Sequence, residues 1–449
     1  MTGLLDPLFR SGRMREIFSD RGRLQGMLDF EAALARAAAR IGVIPRRAGP
    51  LIAASCRAER FDRVALARGT VLAGNPAAPM VQALTALVAK KNAGAARYVH
   101  WGATSQDAID TGAVLQLRAA LDLIEGDVAR VTAALARSAQ RYSRTPMAGR
   151  TLLQQAMPIT FGLKAAGALS ALERSRARLR ELRPRVLVIQ FGGAAGTLAS
   201  LGTRGLAVGQ ALAAQLELRQ PEMPWHAHRD RVAEVATVLG LLTGTLGKIA
   251  RDLVLLAQTE IGEARESAAQ GKGRSSAMPH KRNPVDAAVV LAAATKVPAL
   301  VSIMLSAMTQ EHERGLGNWP AEWETLPEIC LLCSGALEHV AQALEGLEVD
   351  GKRMRANLAA TRGLIMAEAV SGALAPSLGR AAAHALVDRA CQSALDEDRP
   401  LRDVLTEDAR IARLLSPDEL DRLLDPVNYL GVADKFVERV LAARTGRKK

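Results

Sequence analysis

The sequence predicts an all-α protein organised around long helices, and three observations carry that prediction. First, two sets of apolar residues recur at alternating steps of three and four: Val114, Leu117, Leu121, Ile124, Val128, Val131 and Leu135, then Val232, Val235, Leu239, Leu242, Leu246, Ile249, Leu253 and Leu256. Such steps lay one apolar seam along a helix, with the spacing of a coiled coil. At about 1.5 Å per residue, the first seam calls for a helix of at least ~32 Å. Second, aromatic residues make up 3% of the 449 residues and hydrophobic residues 49%, so the core is built from Leu, Val, Ile and Ala. Third, no segment shows a convincing strand alternation. The best strand candidate, Val186–Phe191, is short and runs straight into a glycine cluster.

Taken in order, residues 1–109 read as short helices broken at Pro45, Pro50, Pro76 and Pro79. Residues 110–346 hold the long helices, and residues 347–449 form a smaller helical cap. Each seam must be buried, against the other or against another subunit. A further apolar helix is expected to start at Pro284, capped by Asn283, and to run to a kink or break at Pro298.

Bulk properties narrow the functional classes. The chain is too long for one small core. Its longest uncharged run, Val186 to Thr203, contains four glycines and makes a poor membrane span. The opening MTGLLDPLF lacks a basic segment followed by an apolar one, so no secretory signal is expected. Cys56, Cys330, Cys333 and Cys391 suggest a reducing compartment. Cys330 and Cys333, inside the apolar run EICLLCSGAL, read as buried helix residues rather than a redox or metal pair. A net charge of +13 invites a nucleic-acid reading. The cations are spread along the whole chain, however, and stacking aromatics are scarce, so a polyanionic small molecule fits at least as well.

Four stretches concentrate polar chemistry. In Tyr98–Gly112, the residues His100, Thr104, Ser105, Gln106 and Asp107 precede the first long helix, where hydroxyls and N–H groups suit an anion and where Ser105, Asp107 or Asp110 also suit plain capping. In Gly149–Gly162, Arg150, Thr151, Gln154 and Gln155 interrupt apolar sequence and either stitch the core or face a ligand. Gly271–Pro284 combines glycines suited to a lid with serines, His280, Lys281 and Asn283. Gln310–Pro327 crowds two of the chain's four tryptophans with His312, Arg314 and several glutamates. His226 and His228 form an HxH pair without the companions a metal site needs.

These stretches carry a resemblance. GRSSAMPHKRNP (Gly273–Pro284) resembles the fumarase/aspartase superfamily signature SSxMPxKxNP at every fixed position. TSQD (Thr104–Asp107) is similar to the first signature region, and GRTLLQ with its downstream proline to the second, in the right order and spacing over nearly the whole chain. The resemblance implies an all-α homotetramer of three-domain subunits, with the long helices gathered in a central bundle and active sites shared between subunits. Two departures narrow it. Superfamily lyases commonly carry a histidine in THxQ, where this chain has Leu152, which puts any proton relay through that position in doubt. Adenylosuccinate lyases carry ERDxSxSxxER, and here Trp323 stands at the final arginine. HWGATSQDAIDTG, MAGRTLLQQAMPITFGLKAAG, EHERGLGNWPAEWETLP and the opening DPLFRSGRMREIF are similar to the branch of bacterial 3-carboxy-cis,cis-muconate cycloisomerases.

The resemblance implies carboxylate addition to a double bond, with proton delivery alpha to another carboxylate through an aci-carboxylate intermediate. Ser276 is the implied acid/base, and Lys281 and Asn283, with loop or helix-end N–H groups, would hold the aci-carboxylate. Thr104, Ser105, Thr151 and Gln154 would bind the other carboxylates, joined by His100 and Arg314. No metal or organic cofactor is expected, because the nucleophile belongs to the substrate. A cytoplasmic enzyme is expected, with no nucleic-acid or membrane partner. The alternatives are adenylosuccinate lyase and, outside enzymes, a helical scaffold or nucleic-acid binder.

Overall fold

The computed structural model describes residues 3–267, 272–275 and 277–446, and its architecture is predominantly helical. Ser19 caps α1 (Asp20–Ile41) by accepting the N–H of Gly22, and Gly42 closes it at φ 79°. Five more long helices follow: α2 (Ser105–Arg141), α3 (Phe161–Val186), α4 (Asp230–Leu256), α5 (Val285–Ser306) and α6 (Asn318–Glu345). Both seams lie where the sequence puts them. From Val114 to Leu135 on α2, and from Val232 to Leu256 on α4, every seam residue is buried. Cys330 and Cys333 are fully buried in α6, and burial pushes the Cys333 thiol up to about 12, so neither is poised as a thiolate.

The chain divides into two compact units: Met1–Val128, Ser175–Gly247 and Val289–His339 form unit 1, and Ala129–Arg174, Lys248–Ala288 and Val340–Lys449 form unit 2. Helices α2 to α6 are each divided between the units. In unit 1, α1 crosses α2 at Gly26 and Gly112. A Cβ on Gly26 would stand 2.8 Å from the Gly112 carbonyl oxygen, so only paired glycines let the two backbones meet. In unit 2, Met147, Phe161, Leu256, Ala264 and Met354 form one apolar cluster. The C-terminal helices α7 (Ala367–Leu378) and α8 (Arg380–Asp396) pack around Val370, Leu374, Leu386 and Val387.

Several expectations are corrected. The Gly149–Gly162 stretch contains an antiparallel hairpin, β1 (Pro146–Thr151) and β2 (Gln154–Thr160), and a second short pair joins β3 (Ala264–Arg265) to β4 (Glu348–Val349). The strand candidate Val186–Phe191 makes only one isolated bridge, Val188 to Arg219, because α3 continues to Val186. Helix α5 starts at Val285 and runs through Pro298 to Ser306. Proline there removes one main-chain bond without ending the helix. By length and composition, α4 and α5 are both apolar enough to cross a membrane, whereas the uncharged run Val186–Thr203 is not among such helices. The α4 seam is nevertheless buried within the chain, whereas only 28% of the α5 apolar window is.

Candidate active site

In unit 1 the polar knot at the start of α2 centres on Asp107, which is 0% exposed. Its carboxylate accepts from the main-chain N–H groups of Thr104 (3.0 Å), Gly192 (3.1 Å) and Gly193 (2.9 Å), and from Gln190 Nε2 (3.3 Å). The His226 Nε2 atom lies 2.8 Å from the same group. The capping reading therefore holds for Asp107, and the glycine cluster supplies N–H donors to it rather than to a nucleotide. One turn further on, Asp110 takes Arg229 Nη1 at 2.7 Å and Trp319 Nε1 at 3.0 Å. Glu322 takes the other edge of the Arg229 guanidinium, with Nη2 to Oε2 at 2.6 Å. Burial opposes the Arg229 charge, but Asp110 and Glu322 outweigh it and hold its pKa above the ordinary range. Burial raises the Glu322 carboxyl, against the pull of Arg229.

Arg314 sits at the edge of this framework. Its Nε donates to Gln106 Oε1 at 2.9 Å and its Nη2 to the Ala194 carbonyl at 3.0 Å, while Nη2 lies 3.5 Å from Thr104 Oγ1. Gln106 is itself fixed, donating to the His226 carbonyl at 2.8 Å and to Asp110 at 3.1 Å. An exposed cation anchored on a buried amide beside a hydroxyl can hold a carboxylate. Ser105 opens α2, and His100 packs against Glu31 of α1, with Nδ1 2.5 Å from Oε1. Unit 1 thus brings together Thr104, Ser105 and Arg314.

Unit 2 holds the other candidates. The two readings of the Gly149–Gly162 stretch separate by residue. Arg150 and Gln155 stitch: Arg150 makes a two-pronged pair with Glu263, at 2.7 and 3.0 Å, and Gln155 donates to the Asn357 carbonyl at 3.2 Å. Asn357 also donates to Glu263 at 2.8 Å. Thr151 and Gln154 are cross-strand partners flanking the turn, and both are exposed. The turn itself is Leu152–Leu153, at φ 50° and 66°, with 96% and 75% of their surfaces exposed. Two positive φ values are the type I′ pattern, which favours Asn-Gly. Leucines there cost roughly 1–2 kcal/mol each.

The signature loop is pinched at its base. The Asn283 N–H donates to the Gly273 carbonyl at 2.9 Å, and Arg274 bridges Arg282. Gly273 has φ 65°, and a Cβ on it would lie 2.5 Å from the Asn283 carbonyl oxygen, so this glycine serves a close approach. Lys272 pairs with Asp286. Glu266 caps α5, accepting from the N–H groups of Asp286 at 3.2 Å and Ala287 at 2.8 Å, where Asn283 was expected. Those helix-end donors are therefore filled and are not open to a substrate carboxylate. Lys281 is exposed, with no ion-pair partner among the described residues, and Asn283 is half-buried. Ser276 lies outside the described residues.

Sequence reasoning missed Glu31 and Arg229. Glu31 did leave a signal, a carboxylate in line with Leu24, Met27, Leu28, Leu34 and Ala38 on the buried face of α1. His226 and His228 do not act as a pair, because His226 is buried against Asp107 and His228 is exposed. Among the described residues, no group of three or more His, Cys, Asp or Glu is placed to hold a metal ion.

A lyase family profile matches residues 10–299, and an adenylosuccinate lyase C-terminus profile matches residues 363–440. The chain is 60% identical over 439 residues to a 3-carboxy-cis,cis-muconate cycloisomerase of Pseudomonas aeruginosa, covering 98% of this chain and 96% of that protein. It is 44% identical over 448 residues to a nitrosuccinate lyase of Streptomyces davaonensis, covering 98% and 94%. The crystal structure of the 3-carboxy-cis,cis-muconate lactonizing enzyme from Pseudomonas putida matches with a TM-score of 0.95 at 55% identity, covering 99% of this chain and 100% of that one. With the signature loop, the buried seams and these full-length matches together, the chain belongs to the lyase family of the fumarase/aspartase superfamily.

Proposed function

We propose that this protein is a cycloisomerase that interconverts 3-carboxy-cis,cis-muconate and 4-carboxymuconolactone in protocatechuate breakdown. The observation that carries this reading is the 60% identity over 98% of the chain to a protein of that activity, against 44% to a nitrosuccinate lyase. In the lactonising direction, one substrate carboxylate forms the C–O bond by adding to a double bond. The resulting electron pair is spread over a neighbouring carboxylate until a proton reaches the alpha carbon. Lys281 and the Asn283 side chain stabilise that aci-carboxylate, Ser276 delivers the proton, and Thr104, Ser105, Arg314, Thr151 and Gln154 hold the remaining carboxylates. The +13 charge draws in a trianionic substrate.

The working form in this reading is a cytoplasmic homotetramer with sites shared between subunits. Two observations support an assembly: the strained, exposed Leu152–Leu153 tip, and the apolar face of α5, where Ile303 and Leu305 are 44% and 49% exposed. The C-terminal match to adenylosuccinate lyase keeps that activity as the second reading. Loss of the conjugated diene, followed by absorbance with 3-carboxy-cis,cis-muconate and run beside adenylosuccinate, separates the two. Turnover of the muconate alone is expected, and turnover of adenylosuccinate alone would replace this reading. A Ser276→Ala variant that retained full rate would move the proton-delivering role to another group.

A further inference from the structure

Glu31 is the charge on α1 that the core does not explain. Its side chain is 0% exposed, on a face otherwise built from Leu, Met and Ala. Oε1 lies 2.5 Å from His100 Nδ1, and Oε2 has no hydrogen-bond partner among the described residues. A buried carboxylate held by one ring nitrogen is a poor stabilising device, because desolvation costs more than one contact returns. His100 is unusual too. It adopts φ 59°, a left-handed conformation that disfavours a residue with a Cβ, yet its side chain remains 16% exposed. It lies four residues before Thr104, on the segment that leads into α2.

With Nδ1 against a carboxylate, the proton belongs on Nδ1, and Nε2 becomes the ring atom left for other partners. We infer that Glu31 is a positioning residue: by accepting from Nδ1–H it fixes the His100 ring as an imidazolium whose Nε2–H donates to a carboxylate of the substrate. Burial pulls the His100 pKa down, and the Glu31 charge and hydrogen bond more than offset it, so the net shift is upward and favours a donating imidazolium. The backbone strain at His100 and the desolvated carboxylate then share one purpose, holding a single imidazole at the edge of the Thr104–Arg314 cluster. The substrate part of this inference rests on the proposed function; the Nδ1–H contact with Glu31 does not.

Two measurements test it. In protein labelled with ¹⁵N-histidine, the His100 signals are assigned by their loss in His100→Gln. The wild type is expected to show an Nδ1-bound proton, and Glu31→Gln is expected to shift both ring nitrogens. A wild-type ring with a bare Nδ1 would overturn the inference even if Glu31→Gln failed to fold. The second measurement is a double-mutant cycle on kcat and KM with 3-carboxy-cis,cis-muconate. Glu31→Gln is expected to lower kcat/KM at least about tenfold in the wild-type background and to have little further effect beside His100→Gln. Equal losses in both backgrounds would make Glu31 merely structural. A wild type without turnover would remove the proposed substrate, and the ring signals alone would then decide the role of Glu31.

Discussion

The start of α2 and the tip of the β1–β2 hairpin make opposite use of polar sequence. At the start of α2, Asp107 is buried and ringed by the N–H groups of Thr104, Gly192 and Gly193, with Gln190 and His226 beside it. Such a carboxylate is saturated and unsuited to turning over a substrate. At the hairpin tip, Thr151 and Gln154 are exposed around two strained leucines, and in the same unit Lys281 stands without an ion partner among the described residues. The first region is a framework that fixes where Thr104 and Arg314 stand. The second is a presenting surface whose strain and exposure make sense once something covers it. A motif residue's role thus follows from how fully its hydrogen bonds are already met, more than from its presence in the motif.

The largest effects are expected in the framework. Asp107→Ala strips the acceptor from a ring of buried donors and is expected to cost about 3–5 kcal/mol of stability, read by thermal or denaturant unfolding. A near-normal melt would mean those donors find other partners. Arg150→Ala leaves Glu263 buried and uncompensated in unit 2, with an expected loss of about 3 kcal/mol by the same measurement. On the presenting surface the signs differ. Lys281→Ala is expected to melt like the wild type while losing on the order of 100-fold in kcat. A large drop in stability would show instead that Lys281 belongs to the framework. The smallest effect is at the tip. Replacing Leu152 and Leu153 with Asn-Gly is expected to relieve roughly 1–2 kcal/mol of strain per residue in the isolated chain while weakening assembly, which sedimentation against concentration would read.

Much of this was legible in the sequence, for physical reasons. The α2 and α4 seams could be read because a heptad-like period persists over many turns and each position is buried. The signature loop could be read because its chemistry is contiguous. The hairpin escaped because its register shifts between Ala148 and Arg150 and its turn carries Leu-Leu instead of Asn-Gly. Arg229 and Glu31 escaped because their partners are 119 and 69 residues away. The cap of α5 escaped for the same reason, since Glu266 reaches Asp286 from across the loop. Local pattern locates elements and motifs, but which buried charges meet is decided by the packing of distant segments.

The part of the proposal most in need of a direct test is that active sites are shared between copies of the chain. Arg314→Ala and Lys281→Ala, each nearly inactive by itself, would be mixed, dissociated, reassembled and assayed with 3-carboxy-cis,cis-muconate. Shared sites predict activity well above either parent, because some reassembled sites draw Arg314 and Lys281 from different copies. Activity no higher than the parents, in a mixture shown to contain hybrid oligomers, would contradict the account.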